Sequence, residues 1–149
     1  MLWHGSRFSN FAGILGNGMR IAPPEAPCTG YNFGKGVYFA DLVGKSVPYT
    51  RYGMSNNIAT FVLCEVACGK QLEKKSPDYV AKLPAGYHSC KALAREQPDP
   101  KGDEIRFGDV KVPLGKQVSY SGGNMGCNEF IVYNTNQIKM RYLVRCKVN

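Results

Sequence analysis

No apolar run in this 149-residue chain approaches the roughly 20 residues that a membrane-spanning helix needs, so no membrane contact is expected. No basic segment followed by an apolar stretch marks a signal peptide. No block of five or six Lys and Arg marks a nucleic-acid arm or a nuclear address; Glu73-Lys74-Lys75 is too short. G-x-x-x-x-G-K-[ST] does not occur, which excludes a P-loop, and Gly34-Lys35-Gly36 is too short to be one. Gly13, Gly16 and Gly18 have the wrong spacing for a dinucleotide fingerprint and follow a helical pattern rather than a strand. None of the six cysteines (Cys28, Cys64, Cys68, Cys90, Cys127, Cys146) forms a C-x-x-C pair. Cys64 and Cys68 lie in a strand-like run, where four residues span about 13 Å, too far to share a tetrahedral zinc. With only His4 and His88 to help, no metal site is expected, and the cysteines read as buried, reduced thiols.

What is present fits one domain with a real core. Apolar residues make up 44%, against which wholesale disorder is unexpected. Lys plus Arg is 19 and Asp plus Glu is 11, a net charge of +8. Such a chain attracts polyanions: nucleic acid, a dinucleotide substrate or an anionic polymer product. A merely solvated basic surface is the competing reading.

The pattern predicts a strand ending at Leu2-Trp3-His4. A short helix follows through Phe11, Ile14 and Leu15, capped by Ser9 or Asn10 and ended by Gly16 and Gly18. Ile21 to Tyr31, with three prolines, reads as a loop, and Gly36 to Phe39 as a short strand or bend. Asp41 is expected to cap a second helix reaching about Val47, with Pro48 tolerated only near its end. Ile58 to Ala67 is the clearest strand. Residues 69 to 104 read as irregular with short ordered pieces. Val110 to Val112 and Gln117 to Tyr120 read as short strands, Ser121 to Gly126 as a mobile glycine-rich stretch, and Phe130 to Tyr133 and Met140 to Val148 as strands. The sum is a strand-rich α+β domain with two small helices.

Three residues in strand-like frames stand out: His4 before Gly5-Ser6, Tyr38 in Gly-Val-Tyr-Phe-Ala-Asp, and Glu129 in Asn-Glu-Phe-Ile-Val-Tyr. Together they suit binding NAD and breaking its bond to nicotinamide. As that bond breaks, positive charge develops on the ribose, and a carboxylate on the 2′-hydroxyl favours it. Glu129 is the candidate, and it can also orient an incoming hydroxyl. The cationic, flat nicotinamide ring calls for aromatic faces. Tyr31, Tyr38, Phe39 and Tyr49 cluster within twenty residues, and Tyr38 and Tyr49 can sandwich the ring. The carboxamide needs a donor and an acceptor. The backbone of Gly5 offers both, and the Ser46 hydroxyl a second donor. His4 suits a ribose hydroxyl. Taken singly, each has a plainer reading: a surface strand glutamate, core tyrosines, a structural histidine.

Several long motifs, in order, resemble the catalytic domain of the poly(ADP-ribose) polymerases, specifically the DNA-damage-dependent branch. They are Leu2 to Arg7 with Asn10 to Leu15, Gly18 to Pro27, Thr29-Gly30-Tyr31, Phe33 to Asp41, Lys45-Ser46 and Asn128 to Tyr133. The resemblance covers nearly the whole chain and outweighs the single-residue alternatives. It implies an ADP-ribosyltransferase fold, two packed, mainly antiparallel sheets with short helices. It also implies transfer of ADP-ribose from NAD, the substrate, to acceptor proteins or a growing poly(ADP-ribose) chain, in the nucleus. It places His4, Tyr38 and Glu129 on the family's His-Tyr-Glu triad, and Gly5 and Ser46 on the carboxamide positions. Tyr49 falls on the stacking tyrosine, with Tyr31, Phe39 and Ala40 in the motif around the nicotinamide site. Ser6, Asn10 and Arg20 fall in the region of the adenosine half, and Lys45 near the acceptor and the catalytic carboxylate.

Three departures bear on these expectations. Residues 1–149 correspond to part of the family domain, without the helix and strand that precede the histidine strand in relatives, so an open sheet edge is expected. DNA contact is expected only through modules outside these residues. Cys127 stands where polymerising relatives usually have a tyrosine contacting the acceptor, and Asn32 where a methionine is common, which bears on elongation and branching. Pro48 precedes the stacking Tyr49 and bears on that ring's placement.

Overall fold

The longest apolar run pairs on both sides and organises the molecule. The computed structural model describes residues 1–22, 30–102 and 104–149. Along them the order is β1 (Leu2–Gly5), α1 (Phe11–Asn17), β2 (Val37–Phe39), α2 (Val43–Thr50), β3 (Ile58–Val66), β4 (Gln71–Lys74), β5 (Ser89–Ala92), β6 (Ala94–Pro98), β7 (Glu104–Phe107), β8 (Val110–Pro113), β9 (Gln117–Ser119), β10 (Met125–Cys127), β11 (Glu129–Val132) and β12 (Ile138–Lys147). The class is α+β, mostly antiparallel, with two short helices.

One sheet has the order β1-β3-β12, antiparallel throughout. A four-stranded sheet has the order β2-β11-β5-β4, its last pair parallel. The two are stitched by an isolated bridge: Trp3 and Ala40 exchange N–H···O bonds of 2.8 and 2.9 Å. Two smaller sheets complete the set, β10-β6-β9 and the β7–β8 hairpin.

Period-two alternation sorts the side chains. Val37, Phe39, Phe130 and Val132 face the three-stranded sheet and pack with Leu2, Val62 and Cys64, closed by Phe11 and Met19. On the reverse face of the four-stranded sheet, Ile131, Cys90 and Ala92 pack with Phe33 and Val80, beside Tyr38. Phe33, Ile131 and Val132 are fully buried, and each such side chain contributes roughly 1.5–3 kcal/mol. Glu129 and Tyr38 share this reverse face: the register sets Ile131 opposite Tyr38, and Glu129 lies two residues before Ile131.

Several local expectations need correction. Asp41 does not cap α2; Leu42 occupies that position without a side-chain cap, and the Asp41 carboxylate instead accepts from Asn128. The helix runs to Thr50, three residues beyond Val47, and Pro48 lies inside its last turn. Neither Ser9 nor Asn10 caps α1 through its side chain; Asn10 sits at the N-cap, but its Nδ2 donates to Ser6 Oγ at 3.0 Å. Residues 69–104 hold β4, β5 and β6. These are the short ordered pieces expected in this Pro-, Gly- and Lys-rich stretch; β4 pairs with β5, while β5 and β6 find further partners in β11, β9 and β10. Within 121–126, Met125 opens β10, which pairs in parallel with β6. Gly123 there is a packing glycine: a Cβ would come 1.8 Å from the Leu93 carbonyl oxygen. The last strand begins at Ile138, two residues early. Five cysteines are free thiols; Cys28 and the 23–29 part of the proline loop lie outside the described residues.

Candidate active site

Four elements converge on one narrow slot of about 60 Å³. β1 brings His4 and Gly5 to it. β2 and the residue after it bring Tyr38, Phe39 and Ala40. α2 contributes Lys45, Ser46 and Tyr49, and β11 opens with Glu129. The i, i+1 and i+4 spacing of Lys45, Ser46 and Tyr49 spreads them along the helix flank. Ser6, Asn10, Arg20 and Tyr31 do not line the slot. Tyr31 stands beside it, its ring 6.1 Å from that of Tyr38. Asn10 and Arg20 are exposed on the α1 side.

The helix can lie against β1 because residue 5 has no side chain. A Cβ on Gly5 would fall 2.2 Å from the Ser46 carbonyl oxygen and 3.2 Å from Thr50 Cγ2. Ser46 is buried, and its hydroxyl donates to the Trp3 carbonyl at 3.3 Å. That bond ties the hydroxyl to β1 at the slot.

His4 Nδ1 lies 2.9 Å from the Tyr38 carbonyl oxygen. A carbonyl only accepts, so Nδ1 carries the proton and Nε2 presents its lone pair. Burial holds the imidazole pKa below its ordinary value, opposed by this hydrogen bond. The ring is therefore neutral at physiological pH. Tyr38 is held at its far end: its hydroxyl donates to the Gly34 carbonyl at 2.7 Å and accepts from the Phe33 amide at 3.1 Å. Burial pushes the phenol well above its usual range, so it acts as a neutral platform. Gly34 makes the turn possible, with φ +89° and a Val80 carbonyl oxygen 2.1 Å from where a Cβ would sit.

Glu129 is 6% exposed, and a buried carboxylate needs a partner. Lys45 Nζ supplies it at 2.8 Å from Oε1. Burial pulls the Lys45 pKa down, but the hydrogen bond and charge of Glu129 outweigh it, and the ammonium stays protonated. Tyr49, by contrast, is 57% exposed and forms the free wall of the slot.

One residue quoted in the motifs but given no role of its own, Asn128, braces this centre. Asn128 is 1% exposed. Its Nδ2 donates to Asp41 Oδ2 at 2.7 Å, and its Oδ1 accepts from the Ala94 amide at 3.0 Å. One side chain thus ties the residue before Glu129 to the end of β2 and the start of β6. An amide adjoining an acidic residue at the mouth of an apolar strand was the only sequence signal. A much larger cavity, about 710 Å³, lies elsewhere and contains neither His4, Tyr38 nor Glu129. Size is a weaker guide here than convergence of a neutral imidazole, an aromatic face and a paired carboxylate.

A family model described as the poly(ADP-ribose) polymerase catalytic domain matches residues 1–148. Over its full length the chain is 49% identical to poly [ADP-ribose] polymerase 1 of Gallus gallus. It is 51% identical to poly [ADP-ribose] polymerase 2 of Arabidopsis thaliana, again over its full length. It spans 15% of the first relative and 24% of the second.

Proposed function

Because the chain belongs to the poly(ADP-ribose) polymerase catalytic-domain family, we propose that the slot takes the nicotinamide end of NAD and serves ADP-ribose transfer. The acceptors are protein side chains and the growing poly(ADP-ribose) polymer. NAD is substrate rather than resident cofactor. The observation that carries this reading is the pairing of buried Glu129 with half-buried Lys45, opening onto the same slot as neutral His4 and Tyr38.

The slot is far below the roughly 300 Å³ of an ordinary small-molecule site, so it holds only the ring end, and the exposed Tyr49 swings to admit it. Tyr38 and Tyr49 then face the cationic ring. His4 Nε2 accepts from a ribose hydroxyl, and Glu129 accepts from the 2′-hydroxyl. As the C1′–N bond lengthens, its electron pair moves to the pyridine nitrogen and cancels the ring's charge. Positive charge passes to the ribose, where the carboxylate stabilises it. An acceptor oxygen then bonds to C1′, and a hydroxyl acceptor gives its proton to Glu129 or to water. Lys45 pairs with the carboxylate and aims it.

Ser6, Asn10 and Arg20 face the adenosine half in this reading. The place of action is the nucleus, and DNA is engaged through modules other than residues 1–149. These assignments follow from family membership alone. The test is Glu129→Gln with labelled NAD: polymer formation falls by orders of magnitude while NAD-analogue affinity changes little. Unchanged polymer yield would overturn the mechanism.

A further inference from the structure

The acidic residues are unevenly placed: none of the 11 Asp and Glu lies in 1–22, 42–64 or 130–149. Those segments build β1, α1, α2, most of β3 and all of β12. Two of their cations are answered by carboxylates from elsewhere, Lys45 by Glu129 and Arg141 by Glu65. Arg7, Arg145 and Lys147 are exposed and form no ion pair among the described residues.

The strand register gathers these three charges around one aromatic ring. Residues paired across strands share a face, and period two repeats that face along each strand. On the face that carries His4, the rows run His4–Val62–Leu143, then Thr60–Arg145, then Ile58–Lys147. Arg145 therefore stands two strand spacings across from His4, about 10 Å, and one row along, about 7 Å. The chain leaving β1 turns through Phe8–Asn10 and lays Phe8 at this place, its ring centroid 5.4 Å from the Arg145 guanidinium carbon. Phe8 is 51% exposed, so ring and guanidinium offer a flat platform of the kind on which bases stack. Lys147 follows Arg145 on the same face about 7 Å on, close enough for two long side chains to meet on one doubly charged group.

We propose that this patch holds poly(ADP-ribose) outside the slot. An adenine lies against Phe8 and Arg145, a pyrophosphate bridges Arg145 and Lys147, and Arg7 meets the next phosphate. Unanswered positive charge selects a polyanion, and the exposed ring selects one that carries bases. The Arg145–Lys147 pair then favours poly(ADP-ribose) over nucleic acid, because each repeat of the former has two adjacent phosphates and the latter has one between sugars. This role rests on the transferase reading of the slot, since the polymer is what the slot makes. The shared sheet face lets one unit of the chain sit at the slot while an earlier unit stays on the patch, so the product is retained between additions.

The test measures binding of preformed, labelled poly(ADP-ribose) to the 149-residue chain by fluorescence anisotropy across salt concentrations, without NAD, against oligo(rA) of the same adenine count. The polymer binds, and more tightly than oligo(rA). The double variant Arg145→Gln/Lys147→Gln weakens it about tenfold and flattens the slope of log K against log salt by about 0.7 per lost contact. Phe8→Ala weakens binding severalfold with the salt slope unchanged, as loss of stacking implies. Lys82→Gln/Lys116→Gln, which removes the same charge from exposed positions elsewhere, changes binding by less than about twofold. Benzamide affinity is the same in every variant, and benzamide does not displace the polymer. Should Phe8→Ala fail to fold, the charge variants still decide. No binding of the polymer, oligo(rA) bound as tightly, equal losses from the Lys82/Lys116 pair, or displacement by benzamide overturns the proposal. Any of these leaves the NAD reading of the slot intact, whereas a slot that takes neither benzamide nor NAD sinks that reading whatever the patch binds.

Discussion

Lys45 Nζ stands 2.8 Å from Oε1 of Glu129, joining a helix to a strand 84 residues later. The glutamate is buried and the lysine partly so, so the pair holds the acid in one direction. A charge-assisted contact of this kind is worth roughly 1.5–3 kcal/mol. Lys45→Met therefore lowers ADP-ribose transfer by about ten- to a hundredfold and lowers Tm. Lys45→Arg restores most of both. Equal activity in Lys45→Met and the parent chain would show that the ion pair is incidental.

Gly5 and Gly44 offer a matched pair of substitutions. A methyl at residue 5 meets the Ser46 carbonyl at 2.2 Å, whereas one at residue 44 meets nothing within 4 Å. Gly5→Ala pushes α2 off β1 at a cost of roughly 1–3 kcal/mol and weakens benzamide binding. Gly44→Ala, inside the same helix, is neutral or stabilises by up to ~1 kcal/mol. Urea midpoints of the two variants check this; similar losses in both would argue against helix–strand contact as the reason for Gly5.

Asn128→Asp sets a second carboxylate where an amide now donates to Asp41 Oδ2 at 2.7 Å. Two carboxylates that close cannot both ionise, so the pair takes up a proton and its pKa rises. A raised acid pKa makes stability fall as pH rises. The variant loses roughly 2–4 kcal/mol at pH 7 and recovers part of it near pH 4. A stability deficit that does not change with pH would show that the hydrogen bonds, not the charge, dominate.

His4 gives the parent chain a pH signature. Its folded pKa lies below the ordinary 6.5 because burial disfavours the imidazolium. Below pH 6.5 the unfolded chain therefore binds a proton that the folded chain refuses. Stability from this residue is full above pH 6.5 and declines as pH falls toward and through the folded value. Asp41 works in the opposite sense at lower pH: its folded pKa is raised above 3.8 by burial, offset in part by Asn128. His4→Gln flattens the pH 5–7 slope of the denaturant midpoint; an unchanged slope would mean that the imidazole binds its proton equally in the folded and unfolded chain.

Much of the site was legible because its residues sit in short frames with distinct chemistry. His-Gly-Ser, Val-Tyr-Phe-Ala-Asp and Asn-Glu-Phe-Ile-Val each couple a polar group to a strand, and period two turns that group to one face. What failed was reading the local role of Asp41; within residues 69–104 short ordered pieces were expected, but not their positions or partners. Asp41 looked like a cap because capping is a nearest-neighbour pattern, but its partner Asn128 is 87 residues away. β5 looked irregular because Ser89 and Lys91 carry no strand signal of their own; its burial comes from β11, which supplies the apolar face.

Residue order alone determined that a carboxylate, an imidazole and a phenol would each stand in or beside a strand, because alternation and turn chemistry act over a few residues. Which of them meet, in what protonation state and across what gap was decided only by tertiary packing. The slot exists because the absent side chain of Gly5 lets one helix lie on β1, and Glu129 is paired because that helix carries Lys45 to it. Distances and desolvation depend on groups brought together from opposite ends of the chain, and no local pattern encodes either.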